Sequence, residues 1–180
     1  ASSTCELVTE IIQYSGEKKA LTKFEAEALL AGITVDTNRF AVKAGVRTFE
    51  AASWLKRCGA NLGRVRKYFQ GDGDAFKIKA MCIANAAYYD DGIVMSKLPT
   101  SHPNAQVLNS QIADELLMVK GVHASFVAGK NDAGRTVVSA RSLGDINVQM
   151  VMEKFNGGGH LTTAGTQVDD EPDDILAAIR

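Results

Sequence analysis

The chain has 180 residues, 46% of them hydrophobic and 23% charged, with a formal net charge of −1. That length suits one large domain or two small ones, and the composition is that of a folded chain rather than a disordered one. The near-zero charge disfavours long nucleic acid, whose binding needs many phosphates neutralised, but leaves room for a small phosphorylated ligand held by a few groups. No apolar run approaches the roughly 20 residues of a bilayer crossing. Residues 1–5 (Ala-Ser-Ser-Thr-Cys) have neither the charged start nor the apolar core of a secretion signal. Cys5, Cys58 and Cys82 form neither a zinc pattern nor a disulfide framework, which fits a reducing cytoplasm.

Ser3 and Glu6 have capping-box spacing, which predicts a helix from Thr4 to Tyr14 with Leu7, Ile11 and Ile12 as its apolar face. Thr22 and Glu25 repeat the box before residues 26–31, a second helix that Gly32 can close. Residues 33–35 are a short apolar stretch ending at Asp36. Thr48 is the expected N-cap of a helix from Phe49 to Arg57, and another helix is expected from Leu62 to Phe69. Residues 71–75 are polar, carry two glycines and read as a linker between a first domain, 1–70, and a second, 76–180. In the second domain the patterns predict a helix over 76–87, a strand over 93–98 and a helix opened by Pro103 that continues through Val119. A hairpin follows, from strands 124–129 and 136–141, and then a helix over 147–155. A last helical pattern starts at Asp173 and is cut off at Arg180, so the chain reads as a piece of a longer protein. The expected class is α/β, a helix-rich first segment followed by an α+β domain.

The densest motif is Gly157-Gly158-Gly159-His160. Three adjacent glycines remove every Cβ from one stretch, so a ligand or another backbone can approach closely. Such a run ahead of a helix start can surround an anion with N–H groups, and His160 adds a donor or a stacking ring. A tight helix-to-helix turn explains the same glycines. Asp36, at the end of an apolar stretch, suits a metal ligand at a strand's C-terminal end or, equally simply, a turn cap. Arg141, between Ser139 and Ser142, can hold a phosphate bidentately or pair with nearby Asp145. His102 and His123 have no carboxylate or cysteine at metal-ligand spacing, Trp54 suits a helix core, and Arg47 is a weaker phosphate candidate.

Together these segments resemble one family. Residues 32–37 (Gly-Ile-Thr-Val-Asp-Thr) and 45–55 are similar to the later half of a DHH phosphoesterase domain. Residues 139–144 (Ser-Ala-Arg-Ser-Leu-Gly), Asn147-Val148 and the glycine run are similar to its DHH-associated C-terminal domain. Residues 46–59 resemble the cyclic di-AMP phosphodiesterase branch in particular. The resemblance implies manganese-dependent phosphodiester hydrolysis of a cyclic dinucleotide to linear pApA by a two-metal centre. Asp36 would be one metal ligand. Gly157, Gly158, Gly159, His160, Arg141, Ser139 and Ser142 would hold the substrate.

The Asp-His-His motif that names the family does not occur in the chain, and one aspartate cannot hold two metals. The expectation is therefore a binding portion, inactive alone, of a phosphodiesterase whose N-terminal helices anchor it to the cell membrane. Alternatives are a family member acting on short RNA or single-stranded DNA, and a non-catalytic nucleotide-binding module. Apolar faces left without partners would favour self-association, a homodimer being one form.

Overall fold

The computed structural model describes residues 1–15 and 21–180, which divide into two units, Ala1–Gln70 and Gly71–Arg180. The first unit contains α1 (Thr4–Tyr14), α2 (Lys23–Asp36), α3 (Val46–Arg57) and α4 (Leu62–Tyr68). The Ser3 hydroxyl caps α1 by accepting from the Glu6 N–H, and Thr22 with Glu25 forms the expected capping box at α2. Gly32 does not end α2. A Cβ there would lie 2.2 Å from the Cys5 sulfur, so the glycine serves close packing of α2 against α1. With Gly32 inside the helix, Asp36 is its last residue and not a strand end, which corrects that expectation. Helix α3 starts three residues earlier than expected, because Gly45 is the N-cap and Thr48 sits in the first turn.

Ala26, Leu30, Ile33, Ala51, Leu55, Ala60 and Val65 form the apolar core of this unit. Helix α1 turns toward it a face that the apolar pattern did not predict: Glu6 and Thr9 are buried, while Leu7 and Ile11 are 43% and 67% exposed. The reason is hydrogen bonding. The Glu6 carboxylate accepts from the Ser2 N–H (3.1 Å), the Ser2 hydroxyl and the Thr48 hydroxyl (2.7 Å), tying α1 to α3. Glu27, also buried, accepts from the Asn61 N–H (3.0 Å) and Arg64 Nε (2.8 Å), tying α2 to α4. Burial pushes both carboxyls up, but the hydrogen bonds outweigh it and hold both below the ordinary glutamate value.

The second unit runs α5 (Gly73–Ala84), β1 (Ala87–Tyr89), β2 (Ile93–Lys97), α6 (Ala105–Leu116), β3 (Ala124–Lys130), β4 (Thr136–Ser142), α7 (Val148–Glu153), β5 (Gly158–His160), β6 (Thr163–Val168) and α8 (Pro172–Ile179). The six strands form one sheet in the order β1-β2-β3-β4-β6-β5, with β2 and β3 parallel and the other pairs antiparallel. One face packs Phe126, Val138, Ala140 and Ala164 against α7 and α8. The other packs Val94 and Val127 against α5 and α6. The α/β class thus takes the form of a three-layer unit. Helix α5 begins inside the stretch expected to be linker, and β1 carries no period-2 signal because its Ala87 and Tyr88 are exposed. The glycine run feeds no helix; it is the edge strand β5.

A carboxyl whose folded pKa is depressed stabilises fully above its ordinary pKa and loses that contribution as pH falls through the folded value. The thermal midpoint of the first unit, followed by fluorescence of the single Trp54, is therefore expected to drop between pH 5 and about pH 3. Glu27→Gln is expected to lower the midpoint at pH 7 and to flatten this acid dependence. A midpoint as steeply acid-sensitive in Glu27→Gln as in wild type would contradict the assignment.

Candidate functional site

Residues directly opposed in antiparallel strands point to the same face of a sheet. Arg141 on β4 opposes Thr163 on β6, which opposes His160 on β5. One register step along, Ser139 opposes Gly165, which opposes Gly158. Two rows of three residues therefore lie side by side on the face that packs against α6. Neighbouring strands are about 4.8 Å apart, so Arg141 and His160 stand on the order of 10 Å from one another.

Helix α6 covers β3 and β4 on this face, but β5 and the outward positions of β6 remain open. Thr163, Gln167, Gly158 and His160 are exposed and Gly165 is half-buried, forming an uncovered ledge beside the α6 wall. The base of the wall is Ser139, buried with its hydroxyl 3.2 Å from that of Ser110. Arg141 stands at the wall's edge. Its Nε donates to Asp114 (2.7 Å) and one terminal nitrogen donates to the Ala140 carbonyl (3.0 Å). A guanidinium has five N–H donors, so three remain for a ligand. Asp145, which the sequence offers as the partner of Arg141, bonds instead to His123 Nδ1 (2.8 Å). The His160 imidazole has no hydrogen-bond partner among the described residues.

The three glycines have different duties. A Cβ at Gly157 would meet the Gly165 carbonyl oxygen at 2.3 Å, and one at Gly159 would meet the Thr163 oxygen at 2.4 Å. Gly159 also has φ +148°, which side chains rarely adopt. These two let β5 approach its neighbours. A Cβ at Gly158 would meet nothing within 4 Å, so its missing side chain leaves open space on the ledge.

Ser142 belongs elsewhere. It alternates to the opposite face, and its hydroxyl donates to the Leu161 carbonyl (3.3 Å) and accepts from the Gly144 N–H (3.3 Å), tying down the β5–β6 turn. Asp36 lies in the first unit, exposed at the C-terminal end of α2. Helix carbonyls concentrate negative potential there, so a free carboxylate at that point attracts a cation. Burial, and then the charge of Asp36, pushes the Cys5 thiol pKa up. The three residues that follow Thr37, namely Asn38, Arg39 and Phe40, have φ of 43°, 57° and 67°, a left-handed turn that costs about 1–2 kcal/mol per residue. The buried Thr37 offsets part of this: its hydroxyl donates to the Ile33 carbonyl (2.7 Å) and accepts from the Phe40 N–H (3.0 Å). No group of three or more His, Cys, Asp or Glu able to hold a metal occurs among the described residues. Asp36 by itself does not make a two-metal centre. Arg47 is paired with Glu10. Sequence reasoning did not find Thr163, Gly165, Gln167, Ser110 or Asp114; the first three follow from period-2 alternation once β6 is known, and the last two only from the packing of α6.

A family model described as the DHHA1 domain matches residues 92–180. Residues 92–180, from β2 to the end of α8, make up a DHHA1 domain within the second unit. Over 94% of its length the chain is 46% identical to the cyclic-di-AMP phosphodiesterase GdpP of Geobacillus thermodenitrificans, and over 93% it is 44% identical to GdpP of Bacillus subtilis. It spans about a quarter, 26%, of each of these relatives. An exopolyphosphatase-related protein from Bacteroides fragilis shares the fold, with a TM-score of 0.84 and 22% identity over 98% of this chain and 54% of that one. No described helix is long and apolar enough to cross a membrane.

The DHHA1 glycines supply a direct test. Gly158→Ala is expected to keep the wild-type thermal midpoint, whereas Gly159→Ala is expected to lose several degrees or fail to fold. Equal loss in both variants, measured by circular dichroism melts, would refute the division of duties.

Proposed function

We propose that this chain is the substrate-holding portion of a cyclic-di-AMP phosphodiesterase that yields linear pApA. The observation that carries the proposal is the two-row register of β4, β6 and β5. It sets a guanidinium with spare donors and an unpartnered imidazole on either side of a glycine-floored ledge. The similarity to GdpP proteins supplies the ligand class.

On this reading the free N–H groups of Arg141 donate to non-bridging oxygens of a phosphodiester. Such charge-assisted, forked bonds are the strongest available to an anionic ligand on an open surface. Gly158 and Gly165 let the dinucleotide lie against the sheet without meeting a side chain. His160 closes the far side as a hydrogen-bond donor or stacking surface, and Thr163 offers a hydroxyl between the two. Ser139 serves indirectly, by fixing the strand against Ser110.

Manganese would supply water activation and charge stabilisation in the whole enzyme. Asp36 is the carboxylate this chain would contribute, placed at a helix terminus that favours a cation. The described residues do not complete the donor set. The whole protein would act in the cytoplasm while anchored to the cell membrane by segments outside this chain.

Calorimetric titration with cyclic di-AMP tests the ledge. A charge-assisted bond is worth about 1.5–3 kcal/mol, so Arg141→Gln is expected to weaken binding roughly 10- to 100-fold. His160→Ala is expected to weaken it less, with the thermal midpoint retained. Wild-type affinity in both variants would remove the ledge from the binding site. A manganese-dependent assay of this chain alone is expected to show no turnover, and measurable hydrolysis would mean that its metal ligands are more complete than Asp36.

A further inference from the structure

Every phosphate contact proposed for the ledge passes through Arg141, and Arg141 is not a free cation. Asp114 holds its Nε at 2.7 Å. Asp114 and Ser110 are one helical turn apart on α6, and Ser110 meets Ser139, the residue two before Arg141 on β4. Helix α6 thus sets one side chain against each row of the ledge. At the row that carries charge, that side chain is a carboxylate.

A carboxylate on the Nε edge fixes the guanidinium and leaves its three remaining N–H donors without a partner among the described residues. It also cancels the local charge, because Arg141 with Asp114 sums to zero. The surroundings do not restore a positive field: residues 71–180 contain nine Lys and Arg against fourteen Asp and Glu. Arg141 is the one permanently charged cation of the two rows. A phosphodiester brings a single negative charge to such a site. A terminal phosphomonoester brings nearly two above its second pKa of about 6, and the extra charge meets Asp114 without a matching cation.

We infer that Asp114 is a specificity-determining residue that makes the ledge favour phosphodiesters over terminal phosphates, holding the cyclic substrate and rejecting the linear product with its terminal phosphate. The inference rests on the ledge being the ligand surface. Asp114 acts through Arg141 and is a positioning residue as well.

Three ligands separate the alternatives in titrations of this chain at pH 8: cyclic di-AMP, linear pApA, and ApA, which lacks only the terminal phosphate. In the wild-type chain pApA is expected to bind no more tightly than ApA. In Asp114→Asn, which keeps the shape and removes the charge, affinity for pApA is expected to rise about tenfold relative to that for cyclic di-AMP. A purely structural Asp114 would weaken all three ligands together. An unchanged pApA-to-cyclic ratio in a folded Asp114→Asn variant overturns the inference. So does a wild-type chain that binds pApA about tenfold more tightly than ApA, a comparison that decides the matter should the variant not fold. Wild-type affinities for all three ligands in Arg141→Gln would instead overturn the ledge reading, and this inference with it.

Discussion

The ledge depends on how closely β5 approaches β6. An edge strand of three residues has little to hold it: three opposed pairs and one covered face. It stays in place because Gly157 and Gly159 let its backbone come within distances that any Cβ would prohibit. The Ser142 hydroxyl, the Thr162 carbonyl that accepts from the Ser142 N–H, and the Val148 N–H bonded to the Leu161 carbonyl then fix the turn from β5 to β6. The other face of β5 rests on α7. The result is a strip of backbone whose Gly158 and Gly159 carry no side chains. Such a strip can be left uncovered without exposing apolar side chains, and on its α6-side face Gly158 and His160 are exposed.

The two units solve the problem of buried polarity in different ways. In the first unit two acids are consumed internally. Glu6 is satisfied by Ser2 ahead of its own helix and by Thr48 of α3, Glu27 by Asn61 and Arg64 at α4, and Glu10 holds Arg47. A buried carboxylate is tolerable when hydrogen bonds replace its water, and strongly destabilising when one partner is removed. In the second unit the buried polar groups are mostly hydroxyls that bond to carbonyls, as Ser96 does to Cys82 and Ser125 to Ala113. Charge there is kept at the periphery, in pairs such as Lys97 with Asp173 and Lys130 with Glu171. Pairs of this exposed kind contribute little to stability. The second unit therefore holds its fold through apolar packing on two faces.

Local rules made much of this legible in the sequence. Capping spacing placed α1 and the start of α2, and β-rich runs joined by a turn-forming loop placed β3 and β4 to within a residue, because these signals are local. The errors were tertiary. Gly32 looked like a helix stop because nothing in the sequence says that Cys5 crosses there. Leu7 and Ile11 looked buried because hydropathy cannot know that Glu6 finds Thr48 forty-two residues away. The glycine run stands out in the sequence but its strand does not, because a strand without side chains carries no hydrophobic period. The sequence groups Arg141, His160 and Ser142 only through the family resemblance. The shared face of Arg141 and His160, and the opposite placement of Ser142, required the register.

The Arg141–Asp114 pair shows why register matters more than motif here. A lone arginine on a strand end would be a generic anion trap, attracting any phosphate with a strength that grows with the ligand's charge. Setting a carboxylate on one edge of the guanidinium removes that dependence on charge while preserving the directed N–H groups. What remains is recognition by geometry: forked donors on one side, a glycine floor, an imidazole on the other. If it is the ligand surface proposed above, such a surface would discriminate by how a phosphate is esterified rather than by how much charge it carries. The sequence holds Asp114 and Arg141 twenty-seven residues apart, in a helix and a strand with no visible relation. Only the packing of α6 across β4 makes them one functional group.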